Sequence, residues 1–127
     1  MAGQKPSILI VDDDPVIRRL LQVNFRLEGY EVETAALGQE SIELARSNTP
    51  DVIVLDVMMP GMDGWEVCRS MREESSLADV PIVFLSAKFQ DQNPKDSKEL
   101  GIAAYVTKPF DPSELVTIVE RALDHRR

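Results

Sequence analysis

The sequence predicts a doubly wound α/β domain, and three observations predict it. Short apolar, β-branched runs recur along the chain, each too short for a helix and continuous enough for a strand covered on both faces. Longer segments with apolar residues at helical spacing lie between them. The two kinds of segment alternate from one end to the other, five of each, which argues for a parallel sheet with right-handed crossovers and helices on both faces.

Ser7 to Val11 is the first strand. Pro15, following Asp12, Asp13 and Asp14, suits the first turn of a helix, in which Ile17, Leu20, Leu21 and Leu27 recur until Gly29 stops it. From Tyr30 to Ala35 the chain alternates Tyr30, Val32 and Thr34 against Glu31 and Glu33, the period of an edge-side strand with one wetter face. A second helix runs through Ile42, Leu44 and Ala45 and gives out at Asn48 to Pro50. Val52 to Leu55 is a buried third strand that delivers Asp56 at its C-terminal end.

Met58 to Gly64 is turn chemistry, and Trp65, Cys68 and Met71 recur behind it as a third helix. Pro81 to Leu85 forms a fourth strand ending at Ser86, and Ala103 to Val106 a fifth, just before Thr107 and Lys108. Between those two strands Pro94 cannot sit inside a helix but suits its first position, so Asn93 becomes the cap and the helix runs from about Pro94 to Leu100, where Gly101 ends it. That helix carries no apolar stripe; a long irregular, mobile loop is expected from Ala87 to Gln92, with Leu100, Phe89 and Ile102 as anchors. In the last helix Asp111 is the cap, Pro112 the first residue and Glu114 the third, with Leu115, Ile118, Val119 and Ala122 as its apolar stripe.

At 127 residues and 43% hydrophobic content the chain is expected to be one domain, 1–127, with a single core. No apolar run approaches the roughly 20 residues of a membrane span, and Met1 to Ser7 lacks the apolar stretch of a signal peptide. The expectation is therefore a cytoplasmic protein with no membrane partner. A lone cysteine, Cys68, cannot form an internal disulfide and reads as a small core residue; His125, in the tail, is no ligand. The formal charge of −8 opposes phosphate backbones, so no direct nucleic-acid contact is expected and output should pass through a downstream protein.

In open α/β sheets ligands bind beyond the C-terminal ends of the strands. Those ends here carry Asp12, Asp13 and Asp14, then Asp56, then Ser86, then Lys108. Carboxylates gathered in one place are costly unless a cation sits among them, and an all-oxygen donor set without histidine or cysteine favours Mg²⁺. Asp14 is accounted for as a helix cap, but capping does not explain acids at the ends of two strands. With a cation present, Asp56 can accept a phosphoryl group as a carboxylate nucleophile. Lys108 would neutralise charge on the phosphoryl oxygens and the Ser86 hydroxyl would donate to one of them.

Two other chemistries fit less well. A phosphatase using an aspartyl nucleophile needs a second acid two residues on, where this chain has Met58. A cofactor binder with this sheet needs a phosphate-cradling loop after the first strand, where an acidic triplet would repel phosphate.

Four stretches carry a resemblance: Ile10-Val11-Asp12-Asp13-Asp14 with Pro15; Asp56 with Met59-Pro60-Gly61-Met62-Asp63-Gly64; Leu85-Ser86-Ala87; and Lys108-Pro109-Phe110. In this order and spacing the sequence resembles the receiver domain of response regulators, the phosphorylation switches of two-component signalling, over essentially its whole length. The resemblance implies a flavodoxin-like (βα)5 fold with strand order 2-1-3-4-5 and Asp56 as phosphoacceptor. It implies Mg²⁺ held by Asp13, Asp56 and the Met58 backbone carbonyl, with Asp12 assisting through water. It implies Lys108 and Ser86 on the phosphoryl group, Tyr105 as the aromatic that turns inward when Ser86 engages phosphate, and a cis peptide at Lys108-Pro109. The donor would be a sensor histidine kinase, a phosphotransfer protein or a small molecule such as acetyl phosphate. Ala103-Ala104, Lys88, Met58 and Pro94 depart from the family pattern, so the phosphate lifetime and the fourth helix are this chain's own.

Overall fold

The computed structural model describes residues 5–87 and 94–126, in the order β1 (Ser7–Val11), α1 (Pro15–Leu27), β2 (Glu31–Ala35), α2 (Gly38–Ser47), β3 (Val52–Asp56), α3 (Gly64–Arg72), β4 (Ile82–Ser86), α4 (Pro94–Leu100), β5 (Ile102–Thr107) and α5 (Pro112–Arg126). A short 3-10 turn, Ser75–Leu77, precedes β4. All strand pairs are parallel and the sheet order is β2-β1-β3-β4-β5, the doubly wound arrangement that the alternating pattern predicts.

Apolar side chains alternate to the two faces of the sheet and build two cores. One gathers Leu9, Val11, Ile53, Leu55, Ile82 and Phe84 under α2 and α3; the other gathers Ile8, Ile10, Val52, Val54, Val83 and Leu85 under α1 and α5. Continuous burial on both faces is why β1, β3 and β4 read as unbroken apolar runs. The edge strands are wetter, and there the sequence bounds drift. β2 begins at Glu31, with Tyr30 packed edge-on against Phe25 at 5.0 Å, and β5 extends to Ile102 and Thr107.

The expected stripe of α1 is corrected. Leu21 and Phe25 face the core with Ile17 beside them, whereas Leu20 and Leu27 share an outer face with Val16 and Val23. Val16 is 73% and Leu27 79% exposed. Helical periodicity alone could not separate two apolar stripes on one helix.

α4 spans Pro94–Leu100, and Gly101, at φ +66°, ends it. Asn93 as its cap, Phe89, Lys88 and the expected loop from Ala87 to Gln92 lie outside the described residues beyond Ala87. Leu100 and Ile102 anchor α4 as expected, packed against the core under α2 and α3. Polar contacts add to this: Arg69 pairs with Asp96 at 3.1 Å, Arg72 Nε donates to the Leu100 carbonyl at 2.7 Å, and Ser97 Oγ donates to the Tyr105 hydroxyl at 3.2 Å. Among the described residues no helix is long and apolar enough to cross a membrane.

Candidate functional site

The acids sit where sheet topology sends them. β1 ends at Val11 and β3 at Asp56, and the two strands are hydrogen-bonded neighbours, so Asp12 and Asp56 are placed side by side. Asp12 is fully buried, Asp56 is 3% exposed and Asp13 is exposed. One carboxylate oxygen from each lies within 4.8 Å of the others, close enough for one cation to touch all three. Asp14 does what a cap does: its Oδ1 accepts from the Val16 N–H at 2.9 Å.

Lys108 reaches into the same crevice. Its backbone N–H donates to the Ser86 carbonyl at 2.7 Å, and the Lys108-Pro109 peptide is cis, as the resemblance implies. Lys108 Nζ lies 3.0 Å from Asp12 Oδ2 and 3.5 Å from Asp56 Oδ2. Asp12 Oδ1 accepts the Asp14 N–H at 2.9 Å, and the Asp12 carbonyl accepts Arg18 Nη1 at 2.8 Å. Asp56 Oδ1 accepts the Met58 N–H at 3.3 Å, while the Met58 side chain is 55% exposed at the lip. Ser86 is buried at the end of β4, next to Asp56's partner Leu85.

Burial pushes the Asp56 carboxyl up, and the Asp12 charge adds to that push; Lys108 and the Met58 N–H oppose it, Asp13 adds a little more, and the result is about 7 against an ordinary 3.8. For Lys108 burial pulls the ammonium down, but the Asp12 hydrogen bond and the charges of Asp56 and Asp12 outweigh it, so its value is raised. The crevice thus holds more negative charge than one lysine neutralises. An all-oxygen donor set with that imbalance fits Mg²⁺.

Gly64, the first residue of α3, sets how close that helix approaches β3. A Cβ there would stand 2.7 Å from the Asp56 carbonyl oxygen and 2.8 Å from Val57 Cα, and neither backbone atom can swing away. Gly64→Ala should therefore destabilise the protein by about 1–3 kcal/mol, the range for overpacking. Chemical denaturation checks it; an unchanged midpoint would show that α3 shifts freely.

Tyr105 is half-buried, 5.4 Å from the Phe84 ring, and Phe84 in turn lies 4.8 Å from Trp65. Helical spacing explains Trp65 as a packing residue, but no sequence pattern announces this aromatic cluster. Cys68 is buried and its thiol is pushed up to about 11, chiefly by burial, against the weaker pull of Arg72 and Arg69. It is inert packing, as expected.

Residues 8–120 match the family model of the response regulator receiver domain. The chain belongs to that family. Of curated relatives, the DNA-binding dual master transcriptional regulator RpaA of Synechocystis sp. is 40% identical over 118 residues, covering 93% of this chain and 49% of that protein. The alkaline phosphatase synthesis transcriptional regulatory protein PhoP of Bacillus subtilis is 43% identical over 117 residues, 92% of this chain and 48% of that protein. The receiver thus spans about half the length of the curated relatives it matches. Among solved structures, the Vibrio cholerae chemotaxis protein CheY4 superposes with a TM-score of 0.88 at 34% identity, covering 94% of this chain and 99% of that one.

These relatives correct one expectation. The acidic balance argued against any nucleic-acid partner, yet RpaA is named a DNA-binding regulator and PhoP a transcriptional regulatory protein. Charge is a local property: at physiological salt it is screened within about 8 Å. A formal −8 on a receiver-sized segment therefore places no restriction on a DNA-binding segment elsewhere in a longer polypeptide.

Proposed function

We propose that this receiver domain, residues 1–127, is a cytoplasmic switch in which Asp56 accepts a phosphoryl group from a histidine kinase, a phosphotransfer protein or a small acyl phosphate. The observation that carries the reading is the placement of one ammonium, Lys108 Nζ, 3.0 Å from Asp12 and 3.5 Å from Asp56 in a crevice with a third carboxylate. An Asp56 carboxylate oxygen attacks phosphorus, the bond from phosphorus to the donor's nitrogen or oxygen breaks, and an acyl phosphate remains on Asp56. Mg²⁺, when bound, supplies charge neutralisation at the phosphoryl oxygens. Asp13, Asp56 and the Met58 carbonyl would hold it, with Asp12 assisting.

Lys108 turns its ammonium from Asp56 toward the transferred group and balances its charge. The Ser86 hydroxyl donates to a phosphoryl oxygen, and Tyr105 follows it inward; the contiguous packing of Tyr105 on Phe84, two residues before Ser86 in β4, supports this coupling. A protein donor has an apolar place to sit beside the crevice. The outer face of α1 starts at Val16, and the helix carries Arg18, Arg19 and Arg26 and no acid. The names of RpaA and PhoP support a transcriptional output in longer proteins built on such a receiver.

Intact mass after incubation with acetyl phosphate and Mg²⁺ tests the assignment. The wild type should gain one phosphoryl group and Asp56→Asn none. Modification of Asp56→Asn to the same extent would place the acceptor elsewhere.

The exposed Met58 side chain at the lip sets the lifetime of the product by obstructing water in line with the acyl phosphate. Met58→Asn should shorten that lifetime severalfold at matched Mg²⁺, read as the decay of the phosphorylated mass. An unchanged decay would remove Met58 from the water path.

A further inference from the structure

A cavity of about 560 Å³ opens at the other end of the sheet from the acids, where β4 and β5 begin, against the last turns of α5. Its volume falls within the roughly 300–1,000 Å³ of small-molecule sites. The room comes from small side chains. Ala103 and Ala104 on edge strand β5 face Ala122 and Ile118 of α5, and the register slips at this point, with Ile82 opposite Ile102 but Val83 opposite Ala104. Ala103 is thus an extra, bulged residue in the cavity wall.

The polar part of the lining is cationic, in a protein whose formal charge is −8. Arg72 donates to the carbonyls of Leu100, Leu77, Val80 and Gly101, at 2.7, 2.9, 2.8 and 3.4 Å, so its donors are spent on main chain while its charge stays in the wall. His125 Nδ1 lies 2.8 Å from the Arg121 carbonyl oxygen, which leaves Nε2 as that ring's remaining polar atom. No hydrogen bond or ion pair engages the Arg121 side chain among the described residues. Against these groups the lining holds one acid, Asp79. The two guanidinium groups come from positions 72 and 121, far apart in the sequence, so no basic run betrays their meeting.

We propose that this cavity binds a small amphipathic carboxylate, its apolar body over Ala104 and Ile118 and its carboxylate on the Arg121 guanidinium. Apolar walls alone would accept any oily molecule. An uncommitted guanidinium at their edge selects an anion, because a planar fork of donors matches a carboxylate and charge-assisted hydrogen bonds are stronger than neutral ones. The site shares no residue with the acid crevice, and its occupation does not depend on the phosphorylation reading.

Titration of the whole protein with octanoate, followed by amide shifts, tests this, with octanol and acetate as the neutral and the body-less controls. Octanoate should give saturable shifts at Ala103, Ala104, Ile118 and Ala122, and bind at least about tenfold more tightly than either control. Arg121→Glu should weaken octanoate by about tenfold or more, and Ala104→Leu should abolish binding by filling the cavity. Equal affinity for octanol, shifts that never saturate, or an Arg121→Glu protein that binds as well as wild type would each overturn the proposal. Arg121 is exposed, so that variant decides the question even if Ala104→Leu does not fold.

Discussion

Without metal, Asp56→Asn should melt above the wild type at pH 8 and lose that advantage as the pH falls. Asp56 has an ordinary value of 3.8 and a folded value of about 7, raised first by burial and then by Asp12. A carboxyl whose folded value lies above its unfolded one contributes stability that is complete below 3.8 and lost as the pH rises through about 7. One unit equals about 1.4 kcal/mol, so a shift of about three units places the ceiling of the lost stability near 4 kcal/mol. Lys108 returns part of its pairing energy when Asp56 is replaced, so about 2 kcal/mol is the expected net gain, roughly half that ceiling. Asparagine removes the charge and with it the pH slope. Thermal melts of both proteins in chelator across that window check the sign and the slope. A wild type that melts higher than Asp56→Asn at pH 8 would show that the acids are not under mutual repulsion. Excess Mg²⁺ should reverse the order, because only the wild type keeps all three carboxylates; at a hundredfold excess over Kd, binding stabilises by about 2.7 kcal/mol.

The parts of this molecule that were legible in the sequence are those fixed by local composition or by a general topological rule. β1, β3 and β4 are buried on both faces and so are written as unbroken aliphatic runs. Strand ends then locate Asp12, Asp56, Ser86 and Lys108 without knowledge of a single contact. Pro94 and Gly101 bound α4 because one lacks an N–H and the other tolerates positive φ. What was not legible depends on which face a residue takes in three dimensions. Leu20 and Leu27 recur helically but point outward, and Arg72 ties Leu77, Val80, Leu100 and Gly101 together from a position that reads as an ordinary surface charge. Arg18 holding the Asp12 carbonyl belongs to the same class, since an arginine one turn into a helix carries no mark of the loop it reaches back to.

Lys108→Met should move phosphorylation and metal binding in opposite directions. The ammonium lies 3.0 Å from Asp12 Oδ2 and 3.5 Å from Asp56 Oδ2, between the carboxylates a divalent cation would also use. Its removal leaves a fully buried Asp12 and a nearly buried Asp56 without their counter-charge, which costs the metal-free fold about 3–5 kcal/mol. The same change raises the affinity for Mg²⁺, because one cation no longer repels another and the carboxylates have a larger deficit to offset. Transfer of a phosphoryl group, by contrast, loses a donor aimed at charge that grows during the reaction, and removal of one such donor slows catalysis by about 10²–10³-fold. Methionine keeps an unbranched side chain as far as the ε position and lacks the ammonium beyond it, so the contrast reads chiefly the charge. A titration of Mg²⁺ against amide shifts, beside the rate of phosphorylation by acetyl phosphate at saturating Mg²⁺, separates the two effects. If Mg²⁺ binding weakens in step with the rate, Lys108 acts by holding the acid cluster in shape; if binding tightens while the rate falls, its ammonium acts on the phosphoryl group itself.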